Sequence, residues 1–126
     1  MAEQPDYASN TLVRTYPRGL DTEVMTFAAL RQAWQEARQP YQRSHVTPYM
    51  YESPGRFRIL SVTGDEDHSA YRWTVDTPED LEFVRAIYSR REGKGFRLSD
   101  VLRLIEREPQ LAEINRAVSQ KALHEG

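Results

Sequence analysis

Cysteine is absent from all 126 residues, which removes a disulfide framework, a thiolate-ligated zinc site and a thiol nucleophile together. Long apolar runs are absent too. The longest unbroken one is Phe27 to Leu30, against the 18 or so residues a membrane-crossing helix needs, and the first ten residues carry no apolar signal core. A surplus of positive charge is also missing: 17 Lys and Arg stand against 19 Asp and Glu, for a formal net charge of −2. That balance disfavours a protein built to coat nucleic acid. These absences point to an unexported cytoplasmic protein with neither a membrane nor a nucleic acid as partner.

What is present suits one domain with a core. Hydrophobic residues make up 39% and charged residues 29%, with two Trp, seven Tyr and four Phe as anchors, and there is no low-complexity tract. The whole of 1–126 reads as a single domain, with flexibility confined to 1–5 and 124–126. Nearly all the basic residues are Arg, which suits forked contacts to phosphate or carboxylate.

Short strands are predicted around Asp6 to Arg14. Pro17 and Gly19 then mark a loop that leads, with Asp21 or Thr22 as cap, into a helix. Along that helix Val24, Phe27, Leu30, Trp34 and Ala37 recur every three to four residues, so this stripe is expected to face the core until Gln39-Pro40 stops it. Pro48 is placed in the first turn of a short helix capped by Thr47. Phe57 to Val62 and Ala70 to Val75, joined through the turn at Gly64 to Asp67, are predicted to form a hairpin.

Thr77-Pro78-Glu79-Asp80 is a sharply marked helix start: a capping hydroxyl, proline at the first helical position, and a carboxylate three residues after the cap. Its apolar positions run to about Arg91. A further helix is expected from a Ser99 cap, after the break at Gly93-Lys94-Gly95, and a last one from Pro109 through Leu111, Ile114, Val118 and Ala122. Strands that precede helices imply an α/β or α+β layer structure.

Four segments occur in a telling order: Asp6-Tyr7-Ala8-Ser9-Asn10, then Tyr16 to Val24, then His45-Val46-Thr47-Pro48-Tyr49, then Arg72 to Leu81 with its Trp-Thr-Val-Asp-Thr-Pro-Glu-Asp core. Together they resemble the C-terminal half of the spore-coat polysaccharide biosynthesis protein F type of cytidylyltransferase, a family similar to the synthetases of CMP-activated sugar acids. The likeness extends to Pro109, Leu111 and Asn115.

It implies part of a GT-A-like (Rossmann-like) α/β nucleotidyltransferase, with a short mixed sheet and four to five helices. A sugar or sugar-acid oxygen would attack the α-phosphate of CTP, with magnesium as cofactor. Asp76 matches the family aspartate that helps to hold the metal, and a carboxylate just before a helix N-terminus is favourable without a metal as well. Glu79 and Asp80 read better as first-turn capping acids. The resemblance puts Arg18, Asp21 and Glu23 on a sugar-binding edge, extended by Arg43 and His45, although Ser44 stands where the family usually has an acid. Surface pairing explains Asp21 and Glu23 nearly as well.

Asp65-Glu66-Asp67-His68 reads as a solvated turn, because a chelating loop needs more ligands in a defined order. Arg90 and Arg91 suit the negative end of a helix.

The family's other half carries an A-R-x-x-S-x-R-L-P-x-K phosphate loop and a second metal aspartate, and neither is found in this sequence. Three expectations follow: half of a cytidylyltransferase that needs its N-terminal counterpart, a stand-alone sugar-binding or interaction module, or a truncated remnant. CMP-sugar synthetases, to which the family is similar, often pair, so a homodimer through the last helix is a further expectation.

Overall fold

A computed structural model of the protein describes residues 4–92 and 95–119. They fall into two units, one made of 4–16 and 21–66, the other of 17–20, 67–92 and 95–119. The order is β1 (Tyr7–Ser9), β2 (Glu23–Met25), α1 (Phe27–Glu36), α2 (Pro40–His45), α3 (Pro48–Tyr51) and β3 (Ile59–Ser61) in the first unit. The second unit holds α4 (Pro78–Arg91), α5 (Leu98–Arg107) and α6 (Gln110–Glu113).

The first unit is a mixed three-stranded sheet in the order β2-β1-β3, with β1 antiparallel to β2 and parallel to β3. Tyr7, wholly buried, lies opposite Met25 on one side and Ile59 on the other. Below the sheet, Ala29, Ala33 and Ala37 bring α1 against Tyr7, Tyr49, Met50 and Phe57.

Ala29 and Ala33 reverse the expected orientation of α1, and of the predicted stripe only Ala37, at its C-cap, is buried. Phe27 and Trp34 are 70% and 66% exposed, and Leu30 and Val24 also face outward. The helix has two apolar stripes, and the small one faces in because methyl groups let its axis approach the bulky aromatic floor. The cap is Thr26, whose hydroxyl accepts from Ala29 N at 3.0 Å, not Asp21 or Thr22, because β2 comes between. Gln39-Pro40 opens α2 instead of ending α1, which stops at Glu36.

The hairpin does not form. Only Ile59–Ser61 is a strand, and its partner is β1; the segment around Arg72 belongs to the second unit, where Arg72 makes an isolated parallel bridge to Arg18. Gly19 makes that bridge feasible. Its φ is +109°, and a Cβ there would come within 2.6 Å of the Trp73 carbonyl carbon. Gly19→Ala should therefore cost more than about 1 kcal/mol, measured as a lowered denaturant midpoint at unchanged slope.

In the second unit Thr77 caps α4 as the sequence predicts. Its hydroxyl accepts from Asp80 N at 3.2 Å, and the Asp80 carboxylate accepts from Thr77 N at 3.1 Å. Thr77→Ala leaves the Asp80 amide without its acceptor and should cost about 1 kcal/mol, readable in the same measurement. Phe83 and Ile87 of α4 pack on Val101, Leu104 and Ile105 of α5 and on Leu111 of α6. The cap of α5 is Arg97 and not Ser99, with Asp100 accepting from the Arg97 amide at 2.8 Å. The last helix is a single turn, Gln110–Glu113, and its expected continuation to Ala122 lies partly outside the described residues, as do Lys94 and the 124–126 end. No helix among the described residues is long and apolar enough to cross a membrane.

Candidate functional site

In the first unit three of the sequence segments meet at one hydroxyl. Tyr7, from the Asp-Tyr-Ala-Ser-Asn segment on β1, donates to the Glu23 carboxylate on β2. Burial first, and that carboxylate second, push the Tyr7 phenol up to about 12, with the Ser9 and Thr47 hydroxyls acting against the shift. Tyr7 therefore stays a protonated donor at neutral pH. Ser9 and Thr47 are themselves buried, so this polar cluster is held in a nearly dry setting where its hydrogen bonds are strong. Glu23 lies at the solvent end, on an exposed edge strand.

Thr47 is delivered by a strained turn. Val46 has φ 72° and ψ −56°, and the Thr47 amide donates to the His45 carbonyl at 2.8 Å. This is a tight γ-turn centred on a β-branched residue, a conformation that costs on the order of 1–3 kcal/mol. Buried Pro48 and Tyr49 follow it directly, and the strain persists because this packing fixes the chain on that side.

The predicted sugar-side residues divide. Asp21 is engaged by a two-pronged pair with Arg14, at 2.9 and 3.1 Å. Glu23 is brought to Tyr7 and, through it, to the His-Val-Thr turn. Arg43 donates to the Trp34 carbonyl, and His45 supplies the carbonyl that closes the γ-turn. All four are in the first unit. Arg18 is in the second, where its amide donates to the Tyr71 carbonyl at 3.0 Å and its carbonyl accepts from Trp73 N at 2.6 Å.

Asp76 is also in the second unit, and its surroundings bear on the metal. The buried Arg72 guanidinium forks onto Asp80, with Nε to Oδ1 at 2.8 Å and Nη2 to Oδ2 at 2.9 Å, and reaches Asp76 at 3.2 Å. Asn115 donates to Asp80 at 2.9 Å and to the Arg72 carbonyl at 2.8 Å. Arg72, against the opposing pull of burial, holds the Asp80 carboxyl well below the usual carboxylate range, helped by the Asp76 amide, Asn115 and the Thr77 amide. Asp80 is thus wholly occupied. Asp76 keeps a side chain that is 61% exposed with one long contact, so its carboxylate has room for a cation. It fits magnesium as one ligand only, as that ion usually takes one or two carboxylates and completes its shell with water and substrate phosphates. Among the described residues no group of three or more His, Asp and Glu is placed to hold a metal.

Tyr7, Thr47 and the Arg72–Asp80–Asn115 network are the parts that residue-by-residue reading missed. Each belonged to a segment of the resemblance, which was the available signal.

A solved cytidylyltransferase from Leptospira borgpetersenii superposes on 93% of this chain with a TM-score of 0.81 and 29% sequence identity. The fold is that of about half a cytidylyltransferase. The superposition covers 48% of that protein. An uncharacterized protein of Methanocaldococcus jannaschii is 34% identical over 109 residues, 85% of this chain and 45% of its own length. The spore coat polysaccharide biosynthesis protein SpsF of Bacillus subtilis is 31% identical over 80 residues, 61% of this chain and 33% of its own. The chain thus spans from a third to about half the length of the proteins it resembles. No family model matches it.

Proposed function

We propose that this chain is the sugar-side part of a cytoplasmic cytidylyltransferase of surface-polysaccharide biosynthesis, active when combined with the complementary half of the fold. The observation that carries the reading is the likeness to the Leptospira cytidylyltransferase over nearly the whole chain. The spore-coat type and the C-terminal position rest on the sequence segments and on the SpsF likeness.

In the reaction a hydroxyl oxygen of a sugar or sugar acid bonds to the α-phosphorus of CTP, the bond to the β-phosphate bridging oxygen breaks, pyrophosphate leaves, and the hydroxyl proton is released. Such a transfer needs positioning and charge neutralisation more than covalent help from the protein. Glu23, oriented by the Tyr7 hydroxyl, accepts a hydrogen bond from a sugar hydroxyl. Asp21, Arg43 and His45 of the first unit are assigned to the sugar as well, and Arg18 of the second unit is assigned to a substrate carboxylate. Asp76 supplies one carboxylate to magnesium, which when bound offsets negative charge on the transferring phosphate. The remaining ligands and the triphosphate-binding loop come from the complementary half, as a partner chain or as part of a longer protein, and the assembled enzyme pairs as a homodimer.

The 126 residues alone should therefore neither bind CTP tightly nor release pyrophosphate from it, with or without magnesium. One carboxylate cannot replace the several converging N–H groups and cations that triphosphate recognition needs. Titration calorimetry with CTP and a pyrophosphate-release assay check this. Micromolar affinity or steady turnover by the chain alone would overturn the half-enzyme reading, and joining it to the missing half of a relative should bring both activities.

A further inference from the structure

β3 has an open side. Arg58 O accepts from Tyr7 N at 3.2 Å and Val62 N donates to Ser9 O at 2.8 Å. Residues of a parallel pair alternate in turning both backbone groups toward and away from the partner strand. Arg58, Leu60 and Val62 therefore face β1, while Ile59 and Ser61 turn their N–H and C=O groups the other way. In the order β2-β1-β3 no described strand lies on that side.

The side chains repeat the message. All three residues of β3 are exposed, with Ile59 at 41% and Leu60 at 49%, and Val62 just beyond the strand at 41%. Ile59 and Leu60 point to opposite faces of the sheet, so this strand exposes an apolar side chain on each face. A strand at the true margin of a sheet is normally blunted by shortness, charge, proline or a bulge; β3 is short, and Ile59, Leu60 and Ser61 bring no charge, proline or bulge. Apolar residues on both faces, paired in parallel, are the pattern of an interior strand covered on both sides.

We infer that β3 is the docking edge for the complementary half of the nucleotidyltransferase fold, which adds a strand beside Ile59 and Ser61 and covers Ile59, Leu60 and Val62. The inference rests on the half-enzyme reading, and the length of the relatives supplies the occupant: the superposed cytidylyltransferase has as much chain outside the matched part as within it. The contact joins backbone to backbone, so it depends on the open edge more than on particular side chains.

The test joins the 126-residue chain to the segment of the Leptospira cytidylyltransferase that it does not cover, and follows amide exchange and pyrophosphate release in the same protein. In the chain alone, at low concentration, Ile59 and Ser61 amides should exchange faster than those of Leu60 and Val62. In the joined protein they should slow by about 100-fold or more as the edge is paired. Exchange that stays fast in a cooperatively folded joined protein overturns the docking edge, and so does protection already complete in the chain alone. Pyrophosphate release with unprotected Ile59 and Ser61 would keep the cytidylyltransferase reading and remove this edge; protection without release would do the reverse. A second measurement needs no partner. Changing Ile59→Lys and Leu60→Lys together should leave the denaturation midpoint of the chain alone unchanged, and a collapse of its fold would show that these residues serve its own core, overturning the inference.

Discussion

Replacing Asp80 by Ala should destabilise the protein by about 3–5 kcal/mol, the usual consequence of breaking a buried ion pair from one side. The carboxylate has no exposed surface and accepts from Arg72 twice, from Asn115, and from the Asp76 and Thr77 amides. Its removal strands a guanidinium that is itself only 8% exposed. The loss should far exceed that of Thr77→Ala, which removes only the hydroxyl that accepts from the Asp80 amide and leaves the carboxylate's own bonds in place.

The pH dependence follows from the same contacts. Asp80's carboxyl is held below its ordinary value in the folded protein, chiefly by Arg72, so the unfolded chain binds the proton first. The stabilisation is complete above the ordinary carboxylate value of about 4 and is lost as pH falls from there through the lower folded-state value. Urea denaturation at pH 7 and again at pH 3 should show the difference between wild type and Asp80→Ala shrinking in acid. An equal difference at both pH values would mean that Asp80's charge contributes nothing to the fold.

Asp76→Asn is expected to act in the opposite place. It removes a charge from an exposed side chain whose one contact, to Arg72, is 3.2 Å long, so stability should change by less than about 1 kcal/mol. In the enzyme joined to its complementary half, magnesium-dependent turnover should fall by about two orders of magnitude or more, because a carboxamide is a poor ligand for a hard cation. Parallel measurement of the denaturation midpoint and of pyrophosphate release separates the roles. Activity near wild type would remove Asp76 from the metal site, and a large stability loss would make it a structural residue. The contrast between Asp76 and Asp80, four residues apart, is between a carboxylate left accessible and one consumed by the fold.

The sequence alone determined the local features whose signals are short in range. Thr77-Pro78-Glu79-Asp80 had to start a helix, because hydroxyl, proline and carboxylate each satisfy or spare an amide of the same first turn, and α4 begins at Pro78. The short strand at Tyr7, the lack of a helix among the described residues long and apolar enough to cross a membrane, and the cytidylyltransferase likeness were equally legible.

Only the tertiary structure decided which way the elements face and which of them meet. Two apolar stripes run along α1, and periodicity cannot choose between them; a floor of Tyr7, Tyr49, Met50 and Phe57 favours the alanines. Ile59–Ser61 looked like half of a hairpin because alternation and a nearby turn are all that a chain displays about pairing, yet its partner lies some fifty residues upstream in β1. The meeting of Tyr7, Glu23 and Thr47, and of Asn115 with Arg72 and Asp80, likewise joins residues separated by long stretches of chain. Such contacts form only after the loops between them have closed, so their geometry belongs to the packed molecule and leaves no local trace in the order of its residues.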